Sequence, residues 1–382
     1  MIYLDNSATT QPYKEVIDSF VKVSTDYFGN PSSLHGLGGQ AERLLSRSRE
    51  QVATLLHVSP KEIIFTSGGT EGNNMAIKGV AFQYQNRGKH IITTEIEHDS
   101  VHQPFKQLEE WGFDVTYLSV NEEGLISIEE LKNSLREDTI LVSVIHVNNE
   151  TGVIQPIAEI GHVLDEYPKT IFHVDHVQGI GKVPLDFKKA SIDLLTLSGH
   201  KFHGLKGTGV LYVREGIKLA PLLSGGEQES QLRSGTENVP GVVALAKALR
   251  MTLENAADKN ERIKELRKIL VRQLSDQRHL TINSPSHGAP HILNVTFHGM
   301  KAEVFVHALE DKGIYVSTTS ACSSKKKSPS KTLLAMGKKR EDADQAIRIS
   351  LSYQTTQEDA EKAATAILQA VEELKEVVKE KR

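Results

Sequence analysis

The sequence predicts an α/β protein: a large domain built on a mainly parallel sheet flanked by helices, followed by a smaller α+β C-terminal domain. Three observations carry this. Between residues 60 and 215, short β-branched apolar runs alternate with helix-patterned segments, as βαβ units require. Each run ends in polar or glycine-rich turn residues, and open sheets bind ligands outside the carboxyl ends of their strands. After residue 245 the pattern changes to a long charged helix followed by a few further strands.

In chain order, "GQAERLLSRSREQVATLL" reads as an amphipathic helix ahead of the sheet. The strands are "EIIFTSGG", "HIITTEIEHD", "FDVTYLSV", "TILVSVIHVNN", "TIFHVDHVQ", "IDLLTLSGHK" and "TGVLYVREG". Between them, "IEELKNSL" places Ile128, Leu131 and Leu135 at helical spacing, and "AEIGHVLDEY" behaves similarly. One long helix, "ALAKALRMTLENAADKNERIKELRKILVRQL", is expected to connect the two domains. The second domain then holds strands "HILNVTFH" and "AIRISLS" and a closing helix, "QEDAEKAATAILQAVEELKEVV". The expected division is an N-terminal segment, 1–15, packing on the small domain, a large domain, 16–250, and a small domain, 251–382. There is no internal repeat.

The 382 residues hold ample sequence for a large core. A single cysteine cannot make an intrachain disulfide and fits a reducing compartment. No basic segment followed by an apolar run opens the chain, and no uninterrupted apolar stretch approaches the ~20 residues of a membrane span. A formal net charge of −4 argues against a general nucleic-acid binder. The expectation is a cytoplasmic enzyme with no direct nucleic-acid or membrane partner.

Three strand ends carry candidate chemistry. In "FTSGGTEGNN", Ser67, Gly68, Gly69 and Thr70 precede a helix. Successive N–H groups at a helix start, with a hydroxyl, make an anion seat; the plainer reading is a tight turn that needs glycine. In "FHVDHVQ", Asp175 stands at a strand's carboxyl end, where a buried carboxylate needs a cation or several donors. It suits a protonated ring nitrogen, or alternatively a helix cap. In "TLSGHKFHG", Lys201 lies in a crowded turn between His200 and His203. Poor solvation and nearby cations make such an amine nucleophilic, although most lysines are simply exposed. No further cysteine or histidine pattern supports a metal site there. Together, a phosphate seat, an acid for a pyridinium and an internal lysine are the fittings of pyridoxal phosphate.

The motifs "YLDNSATT", "NPSSLH", "TSGGTEGNN", "EIEHDSV", "HVNNETGV", "HVDHVQ", "SGHKFHGLKGTG", "LRSGTENVP", "SACSS" and "IRISL" resemble, in order and over essentially the whole chain, those of cysteine desulfurases of the NifS/IscS type. The resemblance implies the class V aminotransferase fold, a pyridoxal-phosphate-dependent transferase of fold type I, and a homodimer. It implies that Lys201 joins the aldehyde of pyridoxal 5′-phosphate, Asp175 pairs with its ring nitrogen and Gln178 bonds its phenolic oxygen. His98 stacks on the ring and moves protons. Gly69, Thr70, Ser198 and His200 hold the phosphate, and Thr236 reaches the phosphate of the neighbouring subunit. Asn149 belongs to the cofactor set and also, with Arg348, holds the substrate, L-cysteine, with Arg348 on its carboxylate.

By the same resemblance Cys322 is the catalytic thiolate. It takes the substrate sulfur as a persulfide and releases alanine. Lys325, Lys326 and Lys327 are placed to lower its pKa, and a serine- and threonine-rich loop suits movement between cofactor and acceptor. Without that context a lone cysteine is a small buried hydrophobe. Three departures stand out. His176 replaces the small residue of "DATQ" or "DAVQ". Ser230 replaces the arginine usual ahead of "LRSGT". "ISLSYQTT" replaces "FSLGRFTT". The chain ends in "KEVVKEKR", without the tail that iron–sulfur housekeeping members use to dock a scaffold. The expected sulfur acceptor is therefore a tRNA-thiolation enzyme rather than a scaffold. The competing readings are a selenocysteine lyase or another enzyme of the same fold, and a non-catalytic sulfur-carrier or regulatory partner.

Overall fold

A computed structural model describes residues 1–318 and 329–380 of the chain, with side chains to residue 374. Cys322 and the Lys325–Lys327 run lie outside the described residues. A two-residue strand β1 (Ile2–Tyr3) leads into α1 (Lys14–Asp26) and α2 (Gly36–Leu56). Next come β2 (Ile63–Thr66), α3 (Gly69–Tyr84), β3 (His90–Thr94), α4 (Asp99–Glu110), β4 (Asp114–Leu118) and α5 (Ile128–Ser134). They are followed by β5 (Thr139–Ile145), α6 (Ile157–Leu164), β6 (Ile171–Asp175), β7 (Leu194–Ser198) and β8 (Gly209–Val213). These strands form one seven-stranded sheet in the order β2-β8-β7-β6-β5-β3-β4.

Four neighbouring pairs in this sheet are parallel, but β8 runs antiparallel to both β7 and β2. The reason is length. Residues 199–208 are too few for the crossover that a parallel return needs. Alternation along each strand splits the core into two layers. Ile64, Ile91, Leu141, Leu194 and Leu211 face α3 and α4. Phe65, Ile92, Val142, Leu195 and Val210 face α2, α6 and the helix α7 (Val239–Leu253). With both faces covered, the central strands are buried throughout, and their polar residues Thr93, Ser143, His173 and Thr196 are hydrogen-bonded across the sheet.

The single long helix expected over residues 244–274 is two helices. α7 ends at Leu253 and α8 (Ala256–Leu274) begins after Asn255, which has φ +53° and ψ +33°. That left-handed conformation interrupts the helical ladder, and asparagine is among the few residues that adopt it readily.

The remaining elements are β9 (Leu280–Ile282), β10 (Ile292–Phe297), α9 (Ala302–Glu310), β11 (Ile314–Tyr315), β12 (Ser317–Thr318), α10 (Lys331–Ala335), α11 (Arg340–Asp344), β13 (Ala346–Ser350) and α12 (Gln357–Glu380). Among them β12-β13-β10-β9 form an antiparallel sheet. Its core holds Leu266, Leu270, Phe297, Phe305, Ile347 and Ile367, together with Leu4 from the N-terminus. Ile2 and Tyr3 pair with Ile314 and Tyr315, so the first residues close a two-stranded sheet with β11. This return carries residues 5–10 past the carboxyl edge of the large sheet, against the turn after β7.

Candidate active site

Strands β2, β3, β5, β6 and β7 point the same way, so Thr66, Thr94, Ile145, Asp175 and Ser198 end at one edge. The turn after β2 is packed tightly onto the end of β7. Gly68 adopts φ +150°, a conformation that L side chains rarely take. A methyl on Gly69 would stand 3.0 Å from Val177 Cγ2 and 3.5 Å from Ser198 Cβ. Glu71 braces the turn by accepting from the Ser67 N–H and from Arg233 Nε, both at 2.8 Å. Burial raises the pKa of this acid, but the hydrogen bonds from Arg233 and Ser67 outweigh it and the net shift is downward. Thr70 lines a cavity of about 590 Å³ together with His98, in the groove between α3 and α4.

Asp175 is 3% exposed. Its Oδ2 accepts from Asn73 Nδ2 at 2.8 Å and its Oδ1 from the Val177 N–H at 3.0 Å. Asn73 also donates to Ser100 Oγ at 2.8 Å, and Ser100 Oγ lies 2.8 Å from His98 Nδ1. His98 caps α4, its Nδ1 also accepting from the Ser100 N–H at 3.1 Å. With Nδ1 accepting from both groups of Ser100, the ring proton belongs on Nε2. Asp175 and His98, far apart in the chain, are thus tied through Asn73 and Ser100, neither of which the sequence reading singled out. Only their place in "TEGNN" and "EHDS", beside assigned residues, could have pointed to them.

Lys201 closes the turn after β7. Its Nζ donates to the carbonyls of Ser7 and, at 2.9 Å, Ala8. Gln178 Nε2 reaches the same Ser7 carbonyl at 2.9 Å. His200 Nδ1 lies 3.2 Å from Thr9 Oγ1, and burial, then Lys201, Lys206 and His98, pushes its pKa down to about 4. Arg348, in β13, donates to Asp5 Oδ1 from Nη2 and to the Asn149 carbonyl from Nη1, both at 2.9 Å. The structure therefore gathers Gly69, Thr70, His98, Asn149, Asp175, Gln178, Ser198, His200, Lys201 and Arg348 around one edge. Thr236 is exposed and lines a small cavity with Ser67, Thr208 and Arg233 of its own chain.

The departures have local explanations. His176 is buried and stacked on His146, with ring centroids 4.8 Å apart and their Nδ1 atoms at 2.8 Å. Burial pushes His146 down to about 4, while burial, then His146 and Lys182, holds His176 well below its ordinary value. The pair is therefore neutral, one ring donating to the other. Gly179 makes the room, since a side chain there would collide with the His176 ring. Ser230 lies in a run of three left-handed residues, Glu229 to Gln231. The buried Glu229 carboxylate anchors that run, accepting from Arg49 at 2.6 and 2.9 Å and from the Phe65 N–H at 2.8 Å. In "ISLSYQTT", the Tyr353 hydroxyl meets the Gly181 carbonyl and Asn260 Oδ1.

As a receptor for pyridoxal 5′-phosphate, the cluster fits on two observations. The Gly68–Gly69 turn lies beside Ser198, and a Cβ on Gly69 would press on Val177 Cγ2 at 3.0 Å, so the glycines leave the N–H groups at the start of α3 open to an anion. A buried carboxylate, Asp175, and a lysine, Lys201, stand at the ends of adjacent strands. That donor and acceptor set suits a phosphate, a ring nitrogen and an aldehyde.

The Aminotransferase class-V family model matches residues 2–362. A "NifS/IcsS protein homolog" of Lactobacillus delbrueckii subsp. bulgaricus is 47% identical over 96% of this chain and 96% of its own length. "Cysteine desulfurase IscS" of Methanosarcina thermophila is 44% identical over 98% of this chain and 93% of its own. A solved structure of a NifS-like protein superposes with a TM-score of 0.91 at 38% identity, covering 98% of this chain and 99% of that one. The chain belongs to the class-V aminotransferase family and, within it, to the NifS/IscS-type cysteine desulfurases, enzymes that depend on pyridoxal 5′-phosphate.

Proposed function

We propose that this cysteine desulfurase converts L-cysteine to L-alanine, keeps the sulfur as a persulfide on Cys322 and hands it to a tRNA-thiolation enzyme in preference to an iron–sulfur scaffold. The observation that carries the reading is that Lys201, Asp175 and Arg348 come to one sheet edge, although Asp175 ends β6, Lys201 lies in the turn after β7 and Arg348 stands in β13 of the other sheet. Bound there, the cofactor supplies an electron sink for carbanion chemistry.

The chain's own residues do the rest. Lys201 is the tethering amine and moves the substrate α-proton. Asp175 holds the ring nitrogen protonated, and Gln178 bonds the phenolic oxygen. Gly69, Thr70, Ser198 and His200 seat the phosphate, with Thr236 contributed by a second copy. His98 covers the ring and relays protons from Nε2, its orientation set by Ser100. Arg348 grips the substrate carboxylate, aligned by Asp5 and by Asn149. The Cys322 thiolate attacks the substrate sulfur. An S–S bond forms as the Cβ–S bond breaks, and the released carbon takes a proton to become the methyl of alanine. The Lys325–Lys327 run beside Cys322 supports transfer to an acceptor with an acidic docking face.

A homodimer belongs to the same reading. Ile17, Val21, Phe28, Leu34 and Leu37 are all exposed along α1 and the approach to α2, and an apolar strip of this kind is commonly covered by a partner. The domain division at residues 15 and 250 and a cytoplasmic location are also part of it. Among the described residues no helix is long and apolar enough to cross a membrane.

The test is mass spectrometry of Cys322 after exposure to L-cysteine, with and without a tRNA-thiolation enzyme or a scaffold protein. The expected result is a gain of one sulfur atom, discharged to the thiolation enzyme. Exclusive discharge to the scaffold would end the acceptor assignment. Sedimentation of the holoenzyme as a single chain would end the dimer.

A further inference from the structure

A second lysine lies buried beside the turn that carries Lys201. Lys182, in "QGIGKVP", is 6% exposed. Its Nζ donates to the Lys201 carbonyl at 3.2 Å and stands 5.8 Å from the centre of the Tyr353 ring. Gly181 makes the entry possible. It has φ +73°, and a Cβ there would approach Thr252 Cγ2 to 2.6 Å. The charged and titratable groups around Lys182 are Lys201 in the turn after β7, His203 beyond it, His176 after β6, His291 before β10, and Tyr353 after β13. Lys259, in α8, lies 5.3 Å from the same tyrosine ring. The three histidines are driven down by burial first and carry no charge. Among the described residues no carboxylate comes within ion-pair distance of Lys182.

A buried ammonium without an anion is an expensive feature, so its location needs a reason. The turn itself suggests one. The Gly199 carbonyl accepts from the Phe202 N–H, His200 from Thr10, Phe202 from Thr252 and His203 from the Tyr13 N–H. The Lys201 carbonyl is the one met by a cation. Burial and then repulsion from Lys201 bring Lys182 down to about 8, and repulsion between two like charges acts on both.

We propose that Lys182 is a positioning residue for Lys201: it pins the turn through the Lys201 carbonyl and biases the neighbouring ε-amine toward its neutral, nucleophilic form. The proposal rests on the reading that Lys201 carries the cofactor.

The test is a pH titration of the bound cofactor's visible absorbance in three holoenzymes: wild type, Lys182→Met and Lys182→Arg. Removing a positive neighbour favours protonation. The midpoint in Lys182→Met is expected to rise by about one pH unit, the scale of a close charge effect, while Lys182→Arg stays near wild type. Lys182→Gln serves the same purpose should the methionine variant not fold. A midpoint in the neutral variant within ~0.2 unit of wild type overturns the electrostatic assignment, one tenfold step in proton affinity being a whole unit. An equal shift in Lys182→Arg also overturns it, because loss of packing rather than of charge would then be responsible. A Lys201→Ala protein that keeps the wild-type titration would instead refute the cofactor assignment and leave the comparison among Lys182 variants as a separate result.

Discussion

Arg348 is 3% exposed, with Nη2 held by Asp5, Nη1 by the Asn149 carbonyl and Nε without a hydrogen-bond partner among the described residues. Its planar fork is therefore held in place by the protein itself, which suits the proposed grip on a substrate carboxylate. Lysine would keep the charge but lose the fork. Arg348→Lys is expected to raise KM for L-cysteine by tenfold or more, with a smaller change in kcat, since the lost contact acts on ground and transition states alike. Steady-state kinetics across L-cysteine concentrations checks this, and an unchanged KM would remove Arg348 from substrate binding. Asp175 was legible from its place at a strand end, and Arg348 only through the resemblance of its motif. Asn73, Ser100, Asp5 and Lys182 were not, because each acts through a partner that only folding supplies. Asp5 lies 343 positions from Arg348.

At the scale of elements, the break at Asn255 turns one helical pattern into two helices that serve different cores. Leu245 and Leu249 of α7 pack on the large sheet, while Leu266 and Leu270 of α8 pack in the small-domain core. An uninterrupted helix would carry one of these faces away from its core. Asn255→Val is expected to destabilise the protein by about 1–2 kcal/mol, the cost of a left-handed β-branched residue, while Asn255→Gly stays within about 0.5 kcal/mol of wild type. Chemical denaturation separates the two, and equal stabilities would show that this backbone conformation carries no strain. The strands of the large sheet were legible because each is a short β-branched run ending in a turn. The strands β9, β11 and β12 have only two or three residues, and no periodic signal survives at that length.

For the molecule as a whole, buried histidines set the acid limit of stability. Burial alone drives His173 to about 3 and His146 to about 4, and leads the causes that bring His200 and His203 to about 4. Each is depressed below the ordinary 6.5, so the folded state binds fewer protons than the unfolded chain between those values. Stability is full above pH 6.5 and is lost as pH falls toward 4. Glu97 acts in the opposite sense. Burial lifts it to about 8, so its contribution declines as pH rises from 4.5 to 8. His90, His102, His176 and His291 are shifted down as well, while among the carboxyls Glu150 and Asp193 are shifted up like Glu97. Eight histidines against three acids predict a Tm that falls steeply below pH 6.5 and less above it. Calorimetry from pH 8 to pH 4.5 reads this directly, and a flat Tm below 6.5 would mean that these rings are solvated.

The amino-acid sequence alone determined the layered α/β class, the strand ends that carry Gly69, Asp175 and Lys201, and the motif order that implies a desulfurase, because each is a local pattern of spacing and residue type. Tertiary structure decided the antiparallel return of β8, the split of the connecting helix and the return of residues 2–10 across the sheet edge. It also decided the partners of the site residues: Asn73 for Asp175, Asp5 for Arg348 and Lys182 for the Lys201 carbonyl. A buried polar group must be satisfied by whatever the fold brings near it, and that neighbour is set by packing across the whole chain rather than by position along it.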